Sequence, residues 1–202
     1  MFITFEGIDG SGKSTQLALV ARRLRDAGRA VVETVEPGGT VIGRKIRQIL
    51  LDPEHSALSP VAELLLYFAA RAQNVDEVIQ PALRRGAVVL SDRFTDSTLV
   101  YQGHGRGLGA DTVLALDRVA CRGLAPNLTL FLDIAVDTAL DRARQRGADR
   151  MEAEDHVFYQ RVRDAYHALS AAEPARVIPI DATGSPDAVA ARVWTVVSAR
   201  LK

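Results

Sequence analysis

The chain has 202 residues, 48% apolar and 25% charged, which fits one soluble domain with a full core and argues against disorder or repeats. Lys plus Arg and Asp plus Glu number 25 each, so no overall positive field recruits nucleic acid or an anionic membrane. Cys121 is the only cysteine, which excludes an internal disulfide and a cysteine-based metal site and leaves it as a small apolar filler.

The first apolar run, Phe2 to Glu6, begins directly after Met1 and leaves no room for a charged leader. The richest apolar stretch, Val61 to Ala70, is interrupted by Glu63. A cytoplasmic address is therefore expected. After the first run, Gly7-Ile8-Asp9-Gly10-Ser11-Gly12-Lys13-Ser14 satisfies the pattern G-x-x-x-x-G-K-[ST], with Thr15 behind it and a helix predicted over Lys13 to Ala27. Glycines there let the backbone wrap an anion with its N–H groups inward; Lys13 bridges the outer phosphates, and the Ser14 hydroxyl is placed to ligate Mg²⁺. This segment predicts a bound nucleoside triphosphate, and leaves open what becomes of its terminal phosphate.

Gly28 sits where a helix C-cap belongs, and the run Val31 to Glu36 reads as a second strand ending in Glu36-Pro37-Gly38-Gly39. Helices are predicted over Val41 to Leu51, Pro60 to Gln73 and Val75 to Arg85, with Gly86 as another C-cap. Tyr67 and Arg71, at i and i+4, project from one helix face. A ring beside a donor fork suits a nucleobase, and the same spacing also suits a core pair. The third strand, Val88 to Asp92, closes on Asp92-Arg93-Phe94. The acid there could hold Mg²⁺ and the guanidinium could fork onto phosphate oxygens, or the two could form an ion pair ending the strand. Ser97, Thr98, Tyr101 and Gln102 then read as a polar pocket wall, running into a flexible loop with glycines at 103, 105, 107 and 109 and an exposed His104.

Beyond a helix over Asp111 to Cys121, strands Leu128 to Asp133 and Val177 to Asp181 alternate with helices Val136 to Arg146, Asp155 to Glu173 and Pro186 to Leu201. Arg142, Arg144, Arg146 and Arg150 crowd the end of the first of these helices. Arginines on a closable flap near residues 142–153 can neutralise a transferring phosphoryl group, and a solvated basic helix end is the alternative. Five buried runs alternating with helices predict an α/β fold, a doubly wound five-stranded parallel sheet in one domain, with ligands at the carboxyl ends of its strands.

Together, Phe5 to Thr15, Glu36-Pro37-Gly38-Gly39-Thr40, Asp92-Arg93-Phe94 with Tyr101-Gln102-Gly103, and Ile180-Asp181-Ala182-Thr183 resemble the motifs of the thymidylate kinase family, P-loop NTPase-fold enzymes that move the γ-phosphoryl of ATP onto dTMP. The resemblance covers nearly the whole chain. It implies ATP with Mg²⁺ held by Ser14 and Asp92, Lys13 on the phosphates, and a sugar 3′-hydroxyl accepted by Asp9. It further implies a monophosphate held by Arg47 and Arg93, and a Glu36-Pro37 end of the second strand that belongs to the acceptor site through a cis peptide bond. Tyr67 would stack on thymine, Arg71 would reach its O4, Thr98 and Gln102 would touch its edge, and Tyr101 would crowd the 2′ position. Some members carry a basic residue in the phosphate loop where this chain has Gly10, so the flap arginines 144, 146 and 150 would take the catalytic load. The family also implies a homodimer, for which apolar helix faces near residues 64 and 113 could serve.

Other readings are a small P-loop kinase acting on a nucleoside or on a different monophosphate, and a GTP-hydrolysing switch, which would want an N-K-x-D segment that does not occur. A DNA-associated ATPase would want a basic stripe, also missing.

Overall fold

A computed structural model describes residues 1–144, 150 and 154–201. Its strands are β1 (Phe2–Glu6), β2 (Val31–Val35), β3 (Val88–Asp92), β4 (Leu128–Asp133) and β5 (Val177–Asp181). They form one five-stranded sheet in the order β2-β3-β1-β4-β5, and every pairing is parallel. Chain order and spatial order part at β1, which leaves a crevice between the carboxyl ends of β1 and β3, where such sheets bind ligands. The central strand β1 is buried throughout, whereas edge strand β2 exposes Glu33 and Val35. That contrast follows from β1 having helices on both faces.

The helices are α1 (Lys13–Asp26), α2 (Val41–Leu51), α3 (Pro60–Asn74), α4 (Gln80–Arg84), α5 (Thr95–Thr98), α6 (Ala110–Cys121), α7 (Val136–Arg144), α8 (His156–Ala172) and α9 (Pro186–Arg200). Their starts are encoded locally. Thr40, Ser59, Asp155 and Ser185 each accept a backbone N–H three residues on, and Pro60 and Pro186 occupy first-turn positions where no N–H is needed. One apolar cluster joins Ile3, Phe5 and Leu130 to α1, α8 and α9, and the other joins Phe2, Val89 and Phe94 to α3 and α6.

Two elements differ from the sequence-based expectation. The helices predicted separately before and after residue 74 are one run, α3 passing through a wide π-helical turn at Val75–Ile79 into α4. Pro81, which has no N–H to give back, accounts for the widened turn. The second difference is larger. Residues 95–105, expected as a pocket wall and flexible loop, are helical throughout as α5 and a π-helical stretch over Leu99–Gly105. Gly105 marks close approach, not looseness: a Cβ there would lie 2.7 Å from the Phe158 ring of α8. His104 is exposed, as expected.

Candidate active site

Between β1 and α1 the chain turns through Gly7, Gly10 and Gly12, all at positive φ, into the N-terminus of α1. Lys13, the first residue of that helix, folds back so that Nζ donates to the carbonyls of Gly7 (3.1 Å) and Ile8 (2.9 Å). The loop is pinned on its far side: a Cβ on Gly10 would stand 1.9 Å from the Ala139 carbonyl oxygen of α7. The Ser14 hydroxyl donates to Asp92 Oδ2 at 2.5 Å, bringing together two hard oxygen donors from different strand ends. A cleft lined by Gly10, Lys13, Ser14, Arg47, Asp92 and Arg93 opens over this cradle.

Arg93 follows Asp92 with φ at 71°, an unusual conformation for a side chain of this size and one concentrated at functional sites. Its Nη2 donates to Asp9 Oδ1 at 2.6 Å, and its Nη1 donates to the Gly7 carbonyl at 3.1 Å and to Ser97 Oγ at 2.9 Å. The acid and arginine at the end of β3 therefore do not close the strand as a pair: each is given to the phosphate loop. Burial alone would raise the Asp9 carboxyl, but Arg93 and Lys13 outweigh it and hold Asp9 at about 2. Burial, reinforced by Arg93, pulls the Lys13 ammonium down to about 8 against the attraction of Asp9, Asp92 and Glu6. Beneath Arg93, Glu6 accepts from Ser97 Oγ (2.5 Å), the Tyr166 hydroxyl (2.7 Å) and the Phe94 N–H (2.7 Å). Burial lifts its carboxyl to about 7, with Asp96 adding to the rise. Sequence reasoning passed over Glu6; its signal was an acid closing an otherwise apolar strand.

A second cleft runs on from Asp9 and Arg93, lined among others by Glu36, Pro37, Arg47, Tyr67, Arg71, Thr98, Tyr101 and Gln102. The residues expected around an acceptor are thus brought together. Glu36–Pro37 is cis, and Arg47 Nη1 donates to the Pro37 carbonyl at 2.9 Å. Arg71, 1% exposed, donates from Nε to Glu36 Oε2 at 2.6 Å and from Nη2 to Thr98 Oγ1 at 2.8 Å, while Nη1 is buried with no partner. Burial raises the Glu36 carboxyl and Arg71 opposes the rise. Glu36 and Thr98 thus hold Arg71 rather than simply lining the wall. The Tyr101 hydroxyl donates to Asp9 Oδ2 at 3.3 Å, and its ring lies 5.0 Å from the Arg93 guanidinium.

A third cleft, lined by Gly12, Thr15, Gln16, Arg142, Gly184 and Val189, flanks the phosphate loop on the side of the 181–184 turn. Of the expected flap arginines, Arg146 lies outside the described residues and Arg144 ends α7. Arg150 is not brought to the cradle. It donates to the Leu50 carbonyl at 2.7 Å and to Glu63 Oε2 at 2.5 Å, because a buried acid on α3 needs cations. Glu63 is the residue that interrupts the apolar stretch of α3, and that interruption was its signal.

Among the described residues no group of three or more His, Cys, Asp or Glu is arranged to hold a metal by itself. Among the described residues no helix is long and apolar enough to cross a membrane. The large apolar side chains exposed on α3 and α6 are Val61, Leu65, Leu114 and Val119, whereas Leu64 and Val113 are buried.

A sequence profile described as thymidylate kinase matches residues 5–193. The chain is 54% identical to a thymidylate kinase of Synechococcus sp. (strain JA-3-3Ab), over all of this chain and 97% of that protein. It is 50% identical to one of Trichlorobacter lovleyi, over all of this chain and 98% of that one. The crystal structure of thymidylate kinase from Ehrlichia chaffeensis superposes with a TM-score of 0.80 at 33% identity, covering 98% of each chain.

Proposed function

Because the chain belongs to the thymidylate kinase family, we propose that its three clefts divide the family's reaction among them. That reaction moves the γ-phosphoryl of ATP to dTMP, giving dTDP and ADP, and serves nucleotide biosynthesis. In this reading the triphosphate lies in the loop over Gly7 to Thr15 with its base toward the third cleft, and dTMP fills the second. The observation that carries the assignment is the Arg93–Asp9 pair, which stands in both the loop cleft and the acceptor cleft and so marks where the two substrates meet.

The nucleophile is a phosphate oxygen of dTMP, already competent at neutral pH, so no strongly basic residue is needed. Arg47 and Arg93 hold the acceptor phosphate, and Lys13 stabilises charge that develops on the transferring group. Asp9, held as a carboxylate, accepts from the sugar 3′-hydroxyl and is itself oriented by Arg93 and Tyr101. Tyr67 stacks on thymine, while Arg71, Thr98 and Gln102 face its edge. Ser14 and Asp92 would hold Mg²⁺; a hydroxyl and one carboxylate, with phosphate oxygens and water, are the donors this ion takes in phosphoryl-transfer sites, where it neutralises charge on the outer phosphates. Gly10 offers no cation, so Arg144 and Arg146 remain the proposed flap arginines, and the position of Arg150 on Glu63 speaks against it. The exposed apolar side chains of α3 and α6 are the proposed homodimer surface, and a cytoplasmic setting suits the substrates.

A coupled assay with ATP across a panel of nucleoside monophosphates tests the function. Preference for dTMP is expected, and equal or better turnover of dCMP, dAMP or dGMP would overturn it.

A further inference from the structure

We infer that Glu63 is a positioning residue that fixes which pyrimidine the acceptor cleft takes, by locking the orientation of the Gln102 side-chain amide. The inference rests on the proposed placement of the base against Arg71 and Gln102. Glu63, 1% exposed, accepts from Gln102 Nε2 at 2.7 Å through Oε1 and from Arg150 Nη2 at 2.5 Å through Oε2. Arg106 approaches both oxygens, each at 3.4 Å. A carboxylate facing two guanidinium groups accepts hydrogen bonds and has none to give. The only part of the Gln102 amide it can hold is therefore the NH₂, which turns the Gln102 carbonyl oxygen away from Glu63, on a residue that lines the acceptor cleft.

In the same cleft the second buried acid, Glu36, fixes Arg71 by its Nε and leaves Nη1 without a partner. One side chain therefore supplies an N–H donor and the other a carbonyl acceptor, each set by a carboxylate behind it. The edge of thymine, with its C4 carbonyl accepting and its N3–H donating, complements that pair. Cytosine, with an amino group at C4 and a bare N3, is inverted at both positions and leaves buried polar groups facing their own kind, the arrangement that costs a wrong substrate most.

The test compares kcat/KM for dTMP and dCMP in the wild type and four variants. Glu63→Gln gives Gln102 a partner that can donate or accept, so its amide can turn. The dTMP:dCMP ratio is expected to fall about tenfold or more, with KM for ATP unchanged. Arg106→Gln removes a cation from Glu63 without touching Gln102, and is expected to lower the melting temperature while leaving the ratio intact. Gln102→Ala is expected to shrink the ratio, and adding Glu63→Gln to it is expected to shrink it no further. If Glu63→Gln alone does not fold, Glu63→Gln with Arg106→Gln removes one of the two cations that face position 63 and gives the same readout. A wild-type ratio in folded Glu63→Gln, where Gln102→Ala has collapsed it, overturns the role of Glu63. An unchanged ratio in Gln102→Ala would instead overturn the placement of the base.

Discussion

Arg93 and Asp9 meet at 2.6 Å across the crevice between β1 and β3, joining the strand end that supplies the phosphate loop to the one beside the proposed acceptor cleft. Neither residue's position is free: the backbone N–H of Arg93 donates to the Phe5 carbonyl at 3.0 Å, and Lys13 flanks Asp9 at 3.9 Å. Arg93→Lys keeps the charge but loses the fork that reaches Asp9 and Ser97 together. It should lower kcat/KM for dTMP by at least about tenfold with little change in KM for ATP, as steady-state kinetics in both substrates would show. Equal loss toward both substrates would mean that the arginine serves the loop alone.

Lys13→Ala should cut turnover by about a hundredfold or more in a protein whose circular dichroism is unchanged, because the lost charge matters most in the transition state. Near-normal kcat in the folded variant would remove Lys13 from the mechanism.

A proton balance follows from the same lysine. With its ammonium pulled down to about 8, Lys13 is partly neutral at pH 8, and added phosphates raise it again. ATP binding at that pH should take up a fraction of a proton, visible as a dependence of calorimetric enthalpy on buffer ionisation heat, and should weaken as pH rises further. The uptake should vanish in Lys13→Met.

Tyr101 presents a ring and a hydroxyl that can be separated. Tyr101→Ala should narrow the gap in kcat/KM between dTMP and its ribose analogue by relieving a clash at the 2′ position, whereas Tyr101→Phe keeps the ring and should keep most of the gap. If Phe behaves like Ala, the contact between the hydroxyl and Asp9 matters more than the ring.

Glu6 makes stability depend on pH in the opposite sense to a salt-bridged acid. Its carboxyl is lifted from 4.5 to about 7 in the folded protein, so its neutral form favours folding below about pH 4.5, and that advantage is lost as pH rises through 7. Glu6→Gln cannot titrate. It should be less stable than wild type at pH 5, having disturbed three hydrogen bonds, and the difference in melting temperature should shrink by pH 8. A gap that widens with pH would contradict the burial of this acid.

Strands and phosphate loop were legible in the sequence because each is a local pattern: an apolar run, a glycine spacing, a capping residue. The acceptor cleft was legible only through residues that end strands or sit at helical spacing, such as Asp92, Arg93, Tyr67 and Arg71. What escaped was contact across long stretches of chain. Gly105 looks like part of a hinge in isolation, and only the Phe158 ring, more than fifty residues away, explains why the helix must be bare there. Arg150 looks like a flap cation until Glu63, 87 residues earlier, claims it. Buried acids are the common thread: Glu6, Glu36 and Glu63 each hold a working side chain from behind, and no spacing rule announces which partner a buried carboxylate will choose.

The contact between Gly10 and the Ala139 carbonyl constrains how this enzyme could be re-engineered. Grafting an arginine into position 10, to imitate relatives with a cationic loop, would drive a side chain into the backbone of α7 and push that helix away. The graft would need compensating changes around residue 139, and in laboratory evolution substitutions at the two positions should arise as a pair, with the single loop variant losing activity before it gains any.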